Sequence, residues 1–182
     1  DRKQADFNWE RMAVLGAELE DLDFVEINKT ISSYLEYKKE AKFLDVEDFL
    51  IQLGLIQNGN ITNACMVLFG KHPTRFIPQS KIRITVYPGN KSSNSFIDDK
   101  IFDGNIFKNI NEVLQYIEAI FGKSIKVEGI LREERKNFPE LAFREGILNA
   151  IVHRDYNSVN GVSEIHTYDY QTDISNSGGV LN

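Results

Sequence analysis

FPELAFREGILNAIVHRDY, residues 138–156, is the stretch whose reading decides how the chain is organised. Pro139 and Glu140 mark a helix start, because proline's fixed φ suits a first turn and an early carboxylate meets the positive end of the helix dipole. At about 100° per residue, Phe143, Ile147, Ala150 and Ile151 join Leu141, Leu148 and Val152 in one broad apolar arc. Glu145, Asn149 and His153 follow one another at i, i+4 and i+8 on the remaining arc, so they line up along the axis. Beside them stand Ala142 and Gly146, which carry almost no side chain. Gly146 costs about 1 kcal/mol of helix propensity against alanine, so its presence predicts that something approaches the backbone closely. Pattern alone also fits an amphipathic helix whose polar stripe faces water.

Working outward, the composition sets bounds. The chain has 182 residues, 42% hydrophobic and 26% charged, enough to bury a core in one large domain or two small ones. Its formal net charge of −6 supplies no global basic field for DNA or an anionic membrane. The single cysteine, Cys65, forbids an internal disulfide and fits a reducing, cytoplasmic compartment. It lies in the apolar run 64–69 and reads as a small buried hydrophobe. No apolar run approaches the roughly 20 residues of a membrane span. The chain opens on Asp1 and stops just after Gly178-Gly179, so we read it as a piece of a longer protein.

Residues 1–20 read as a connector. Helices are expected over 21–40, over 45–53 with Gly54 as its stop, and from a Thr62 cap to Phe69, where a strand over 66–69 is the alternative. Asn58-Gly59-Asn60 is a turn. Residues 81–87, KIRITVY, alternate like a strand, 96–102 offer a second, and 105–121 a helix with Ile106, Ile110, Val113, Leu114, Ile117 and Ile120 on one side. A strand at 125–131, a charged connector at 132–137, the central helix, and strands near 162–168 and 172–175 complete the order. Helices lead and strands follow beside antiparallel hairpins, which predicts an α+β fold with a boundary near Gly122, giving regions 1–122 and 123–182.

Several chemistries fail on inspection. One cysteine and three widely separated histidines make no zinc signature. Gly70-Lys71 lacks the rest of a phosphate loop. His153-Arg154-Asp155 with Asn160 has the spacing of a protein-kinase catalytic loop, yet no glycine-rich loop precedes it and no Asp-Phe-Gly follows, so the match is a coincidence. Glu145 and Asn149 remain: a carboxylate can orient and deprotonate a water, and an amide oxygen can ligate Mg²⁺.

The Glu145–Asn149 spacing resembles the N-box of the GHKL (Bergerat-fold) ATPases. More closely, FPELAFREGILNAIVHRDY followed by ISNSGGVL is similar to a pattern of bacterial transcriptional regulators labelled RecG-related, and residues 19–23 and 61–70 resemble that family's middle region. The resemblance implies a Schlafen AlbA-like domain before this region, DNA binding through segments outside it, and an incomplete GHKL-like α/β sandwich with antiparallel strands over 123–182. It implies ATP and Mg²⁺ as cofactors, Glu145 as the water-activating base, and Asn149 as the metal ligand. His153 would border the phosphates, and Asn176, Gly178 and Gly179 would form the nucleotide-contacting turn. Ser177 stands where the family has proline. Asn176 stands where active GHKL enzymes have the aspartate that recognises adenine, and an amide offers a different donor–acceptor pattern. The fragment itself is therefore not expected to hydrolyse ATP. The rival expectation is a non-catalytic dimerisation or interaction module that keeps the fold without the site. For the charged residues Arg144, Glu145, His153, Arg154 and Asp155, the alternative role is an ion-pair network holding the helix end.

Overall fold

The structure is a computed structural model that describes residues 9–89, 95–128, 131–136, 139–158, 161–169 and 171–178, with backbone alone for 123–136. In chain order its elements are α1 (Phe24–Tyr37), α2 (Val46–Gln52), β1 (Ile56–Gln57), β2 (Asn60–Ile61), α3 (Asn63–Phe69), β3 (Ile82–Val86), β4 (Asp98–Phe102), α4 (Ile106–Phe121), β5 (Lys123–Glu128), β6 (Leu131–Lys136), α5 (Glu140–Val152), β7 (Ser163–Thr167) and β8 (Thr172–Ser175). The fold is mixed α+β. Among the described residues, no helix is long and apolar enough to cross a membrane.

Two compact units form. One comprises Asp1–Lys81, Asp103–Phe107 and Tyr156–Asn160, and the other Ile82–Phe102, Lys108–Asp155 and Gly161–Asn182. They part first at Lys81, upstream of residue 122, because β3 takes its pairing partners from β4 and β7 rather than from the preceding helices.

The first unit is built on side-chain caps. Asp23 accepts hydrogen bonds from the backbone N–H groups of Val25 and Glu26, so α1 starts three residues after the acids at 20 and 21 suggest. Asp45 caps α2 through Asp48 N. Thr62, fully buried, caps α3 through Cys65 N at 3.3 Å and donates to the Leu55 carbonyl at 2.9 Å. That double use settles residues 66–69 as helix. Asn58 (φ 50°) and Gly59 (φ 75°) turn β1 into β2 with the left-handed backbone that a two-residue hairpin needs. The apolar faces of the three helices meet around Phe49, Leu50, Cys65 and Met66, and Tyr34, Phe43 and Phe49 pack as tilted and edge-to-face rings. Burial pushes the Cys65 thiol up to about 12, so it behaves as the inert hydrophobe its setting suggested.

The second unit is organised by a four-stranded sheet in the order β4-β3-β7-β8. The expected antiparallel strands form at both edges, while β3 pairs with β7 in parallel, so the sheet is mixed. The long excursion from β3 through α4 and α5 to β7 is what permits a parallel neighbour. Residues 132–136, expected as a connector, form β6, paired antiparallel with β5 from Lys123↔Lys136 to Glu128↔Leu131; Asn137 lies outside the described residues. Their charges gave no apolar alternation from which a strand could be read.

Register divides the sheet into two faces. Lys100, Ile84, Ile165 and Ile174 form one cross-strand row, and Phe102, Ile82 and Ser163 the next. This face takes both helices: the Tyr116 ring of α4 meets Phe102 edge-on, and Ile174 lies against Gly146 of α5. The opposite face is polar, with Asp99, Thr85, His166 and Asp173 in register across all four strands. On it Arg83 grips Asp99 with two 2.8 Å hydrogen bonds, and Thr85 adds a third at 3.1 Å. Those bonds hold the Asp99 carboxyl below its ordinary range, with the Arg83 bond the largest cause. A carboxylate with a depressed folded pKa stabilises above its unfolded value near 4 and loses that contribution as pH falls. Asp99→Asn is therefore expected to lower stability at pH 7 by on the order of 1 kcal/mol, since the pair is half-exposed. In urea melts the difference from wild type should shrink towards pH 3.

Candidate functional site: the ends of one helix and one turn

α5 begins at Glu140 with Pro139 at its N-cap position and runs to Val152, with Phe138 outside the described residues. Its apolar arc is not one face. Ile147, Ala150 and Ile151 are buried, whereas Leu141 is 83% exposed, Val152 70% and Leu148 38%. At about 100° per residue these three centre roughly 130° round the axis from the buried three, so the arc is covered on one side and open on the other. The broad arc inferred from sequence is thereby split, because the sheet reaches only one half of it.

Glu145, Asn149 and His153 are all exposed along one edge between those sides, as the i, i+4, i+8 spacing requires. Gly146 lies partly buried beside that edge, and what approaches it is the protein itself. A Cβ built there would stand 2.8 Å from Cδ1 of Ile174 on β8. The close approach predicted for Gly146 is thus strand-to-helix packing, and the bare position is filled by an isoleucine.

The turn after β8 meets the other end of the helix. Asn176 Nδ2 donates to the Ala150 carbonyl at 2.7 Å, and Asn176 Oδ1 accepts the backbone N–H of Gly178 at 2.8 Å. A carbonyl on one side and an N–H on the other fix which way the amide faces. Ser177 Oγ donates to the Asp155 carbonyl at 3.2 Å. A Cβ on Gly178 would fall within the envelope of the His153 carbonyl, so only glycine fits. Gly179 lies outside the described residues. The turn is therefore near His153 and Ala150, as expected of residues that share a site, but it touches their backbone carbonyls.

The HRDY segment is engaged residue by residue. His153 is the C-cap of α5. Arg154 is buried, and its Nη2 donates to the Gly161 carbonyl. In the first unit the Tyr156 ring stacks on Trp9 with centroids 4.6 Å apart, and its carbonyl accepts from Gln79 Nε2. Asn160 lies outside the described residues.

Nucleotide and metal can be weighed against these contacts. The Asn176 amide makes one hydrogen bond within the chain at each end, to the Ala150 carbonyl and from the Gly178 N–H. Among the described residues, no three His, Cys, Asp or Glu side chains gather as a metal site. Asn149 alone offers one neutral oxygen, where Mg²⁺ is held by carboxylates plus phosphates. What sequence reasoning missed was the pairing of Asn176 with the Ala150 carbonyl and of Ile174 with Gly146: neither is a chemical motif, and only the antiparallel return of β8 brings Ile174 and Asn176 to α5.

No family model matches the chain, and no curated protein matches it. Among solved structures it is similar to the DIP2311 protein from Corynebacterium diphtheriae, with a TM-score of 0.67 and 18% identity over 94% of this chain. At that identity the likeness is one of fold. The chain spans about a third (34%) of that protein's length.

The packing at Gly146 generates a test. Removing the Ile174 Cδ1 by Ile174→Val should free the glycine position, so Gly146→Ala in that background is expected to stabilise by about 1 kcal/mol through helix propensity. In the wild-type background the gain should be smaller or reversed. The double-mutant cycle in urea should give a coupling above about 0.5 kcal/mol; additive effects would mean that the two residues do not touch.

Proposed function

We propose that this region is a non-catalytic association module of a larger bacterial regulator, retaining a GHKL-like sandwich of two helices on one sheet face without its nucleotide site. DNA contacts would be made by other parts of the full-length protein. The observation that carries the reading is the uncovered flank of the α5 apolar arc: Leu141, Leu148 and Val152 stand exposed beside the residues of that arc that are already buried. An apolar flank left open in this way favours cover by a second surface.

The spacing of that outer face suits a second copy of this chain. Leu141, Glu145, Leu148 and Val152 are separated by four, three and four residues, a sequence that reads the same in both directions. A two-fold antiparallel pairing centred between Gly146 and Ile147 sets Leu141 against Val152 of the second copy and Leu148 against its Glu145. Self-complementarity of this kind is what an isologous interface demands. Asn149 then comes within a residue of the second copy's Glu145, where its amide can donate to the carboxylate. Glu145 and Asn149 thus acquire a role in association.

A second reading, Mg-ATP binding, draws on the exposed alignment of Glu145, Asn149 and His153, and is opposed by the commitments of Asn176. Sedimentation of the protein carrying Leu141→Glu and Val152→Glu tests the first reading. Wild type is expected to sediment as a dimer and the double variant as a folded monomer, with association weakened at least about 30-fold, equivalent to roughly 2 kcal/mol. A monomeric wild type that gives heat on titration with Mg-ATP, lost in Asn149→Ala, would favour the second.

A further inference from the structure

We infer that the Asn176–Gly178 turn is a C-terminal clasp for α5, which places the chain's own helix end where the family resemblance assigns adenine. The last carbonyls of a helix have no partner within it and carry the negative end of its dipole. In α5 the Asn149 carbonyl receives the His153 N–H, so Ala150 is the first carbonyl left over. Asn176 answers it with a donor from the end of β8, 26 residues away in sequence.

An aspartate could not do this. Its ionised carboxylate has only acceptors, so it would set negative oxygens against the Ala150 carbonyl at the negative helix end while still accepting from Gly178. The amide is the side chain that accepts on one side and donates on the other with the same reach. Gly178 completes the clasp, since any side chain there would collide with the His153 carbonyl. Ser177 ties down Asp155, two residues beyond the cap. Three consecutive residues thus address the carbonyls of Ala150, His153 and Asp155. The choice of Asn rather than Asp at 176 separates a turn that holds the helix from one that holds a base.

The clasp does not depend on whether the module dimerises, and Asn176→Asp tests it directly. It requires that Asn176→Asp be more damaging than Asn176→Ala, because the carboxylate adds repulsion to the lost donor. At pH 7 the melting temperature should fall by roughly 3–6 °C in Asn176→Asp and by less in Asn176→Ala. Acidification should relieve the aspartate variant relative to wild type. A carboxyl whose charged form is disfavoured in the fold has a raised pKa, and below it the protonated group can again donate to Ala150. Mg-ATP should bind neither wild type nor Asn176→Asp in calorimetric titration. The clasp is refuted if Asn176→Asp melts with wild type, if Asn176→Ala is the worse of the two, or if the aspartate creates ATP affinity. Should the aspartate variant fail to fold at pH 7, recovery of its fold near pH 4 keeps the comparison decisive.

Discussion

A single amide, that of Asn176, joins the edge of the four-stranded sheet to the end of the helix that packs on it. Its donor serves the Ala150 carbonyl and its acceptor serves Gly178, so strand β8 and helix α5 close on each other at one end. At the middle they are closed by Ile174 against the glycine at 146. These contacts hold β8 and its following turn against α5 at two points. A buried or half-buried amide has four hydrogen-bonding sites to satisfy, and a place in which it meets a carbonyl and an N–H at once is narrowly defined.

The sheet itself obeys a simple division. Alternation along β3 and β7 sends isoleucines towards α4 and α5 and sends Arg83, Thr85, Glu164 and His166 to the other side. Parallel pairing of those two strands in the centre, with antiparallel strands at both edges, lets a short chain present one apolar face of sufficient width to two helices. The polar face is held together by its own ion pair and hydrogen bonds, which need no covering layer.

Most elements were legible in the sequence because their signals are local. Thr62 and Asp45 cap where capping residues stand before apolar runs, and residues 82–86 alternate as a strand should. What escaped was non-local. Residues 132–136 pair with 123–127 in a backbone ladder that a run of charged residues in the sequence does not announce. The parallel register of β3 with β7 depends on an excursion of some eighty residues, which no window can sense. In α5 the periodicity was right and the burial is uneven: Leu141, Leu148 and Val152 share one arc with Ile147 and Ile151, and only the reach of the sheet distinguishes them. The polar edge was placed correctly, and the glycine turn was brought to the right helix. There Asn176 meets the Ala150 carbonyl, a contact that no motif names because it is made to backbone.

Whether the Asn176 side chain is engaged by the helix end can be observed without altering the protein. Proton NMR of the full chain, with the two Asn176 Nδ2 protons assigned, reports their exchange with water. If the amide holds Ala150, one of the two protons should exchange on the timescale of the backbone amides in the last turns of α5, and both should be unmoved by added Mg-ATP. Two protons exchanging as fast as those of an exposed asparagine, or shifting together when Mg-ATP is added, would contradict it.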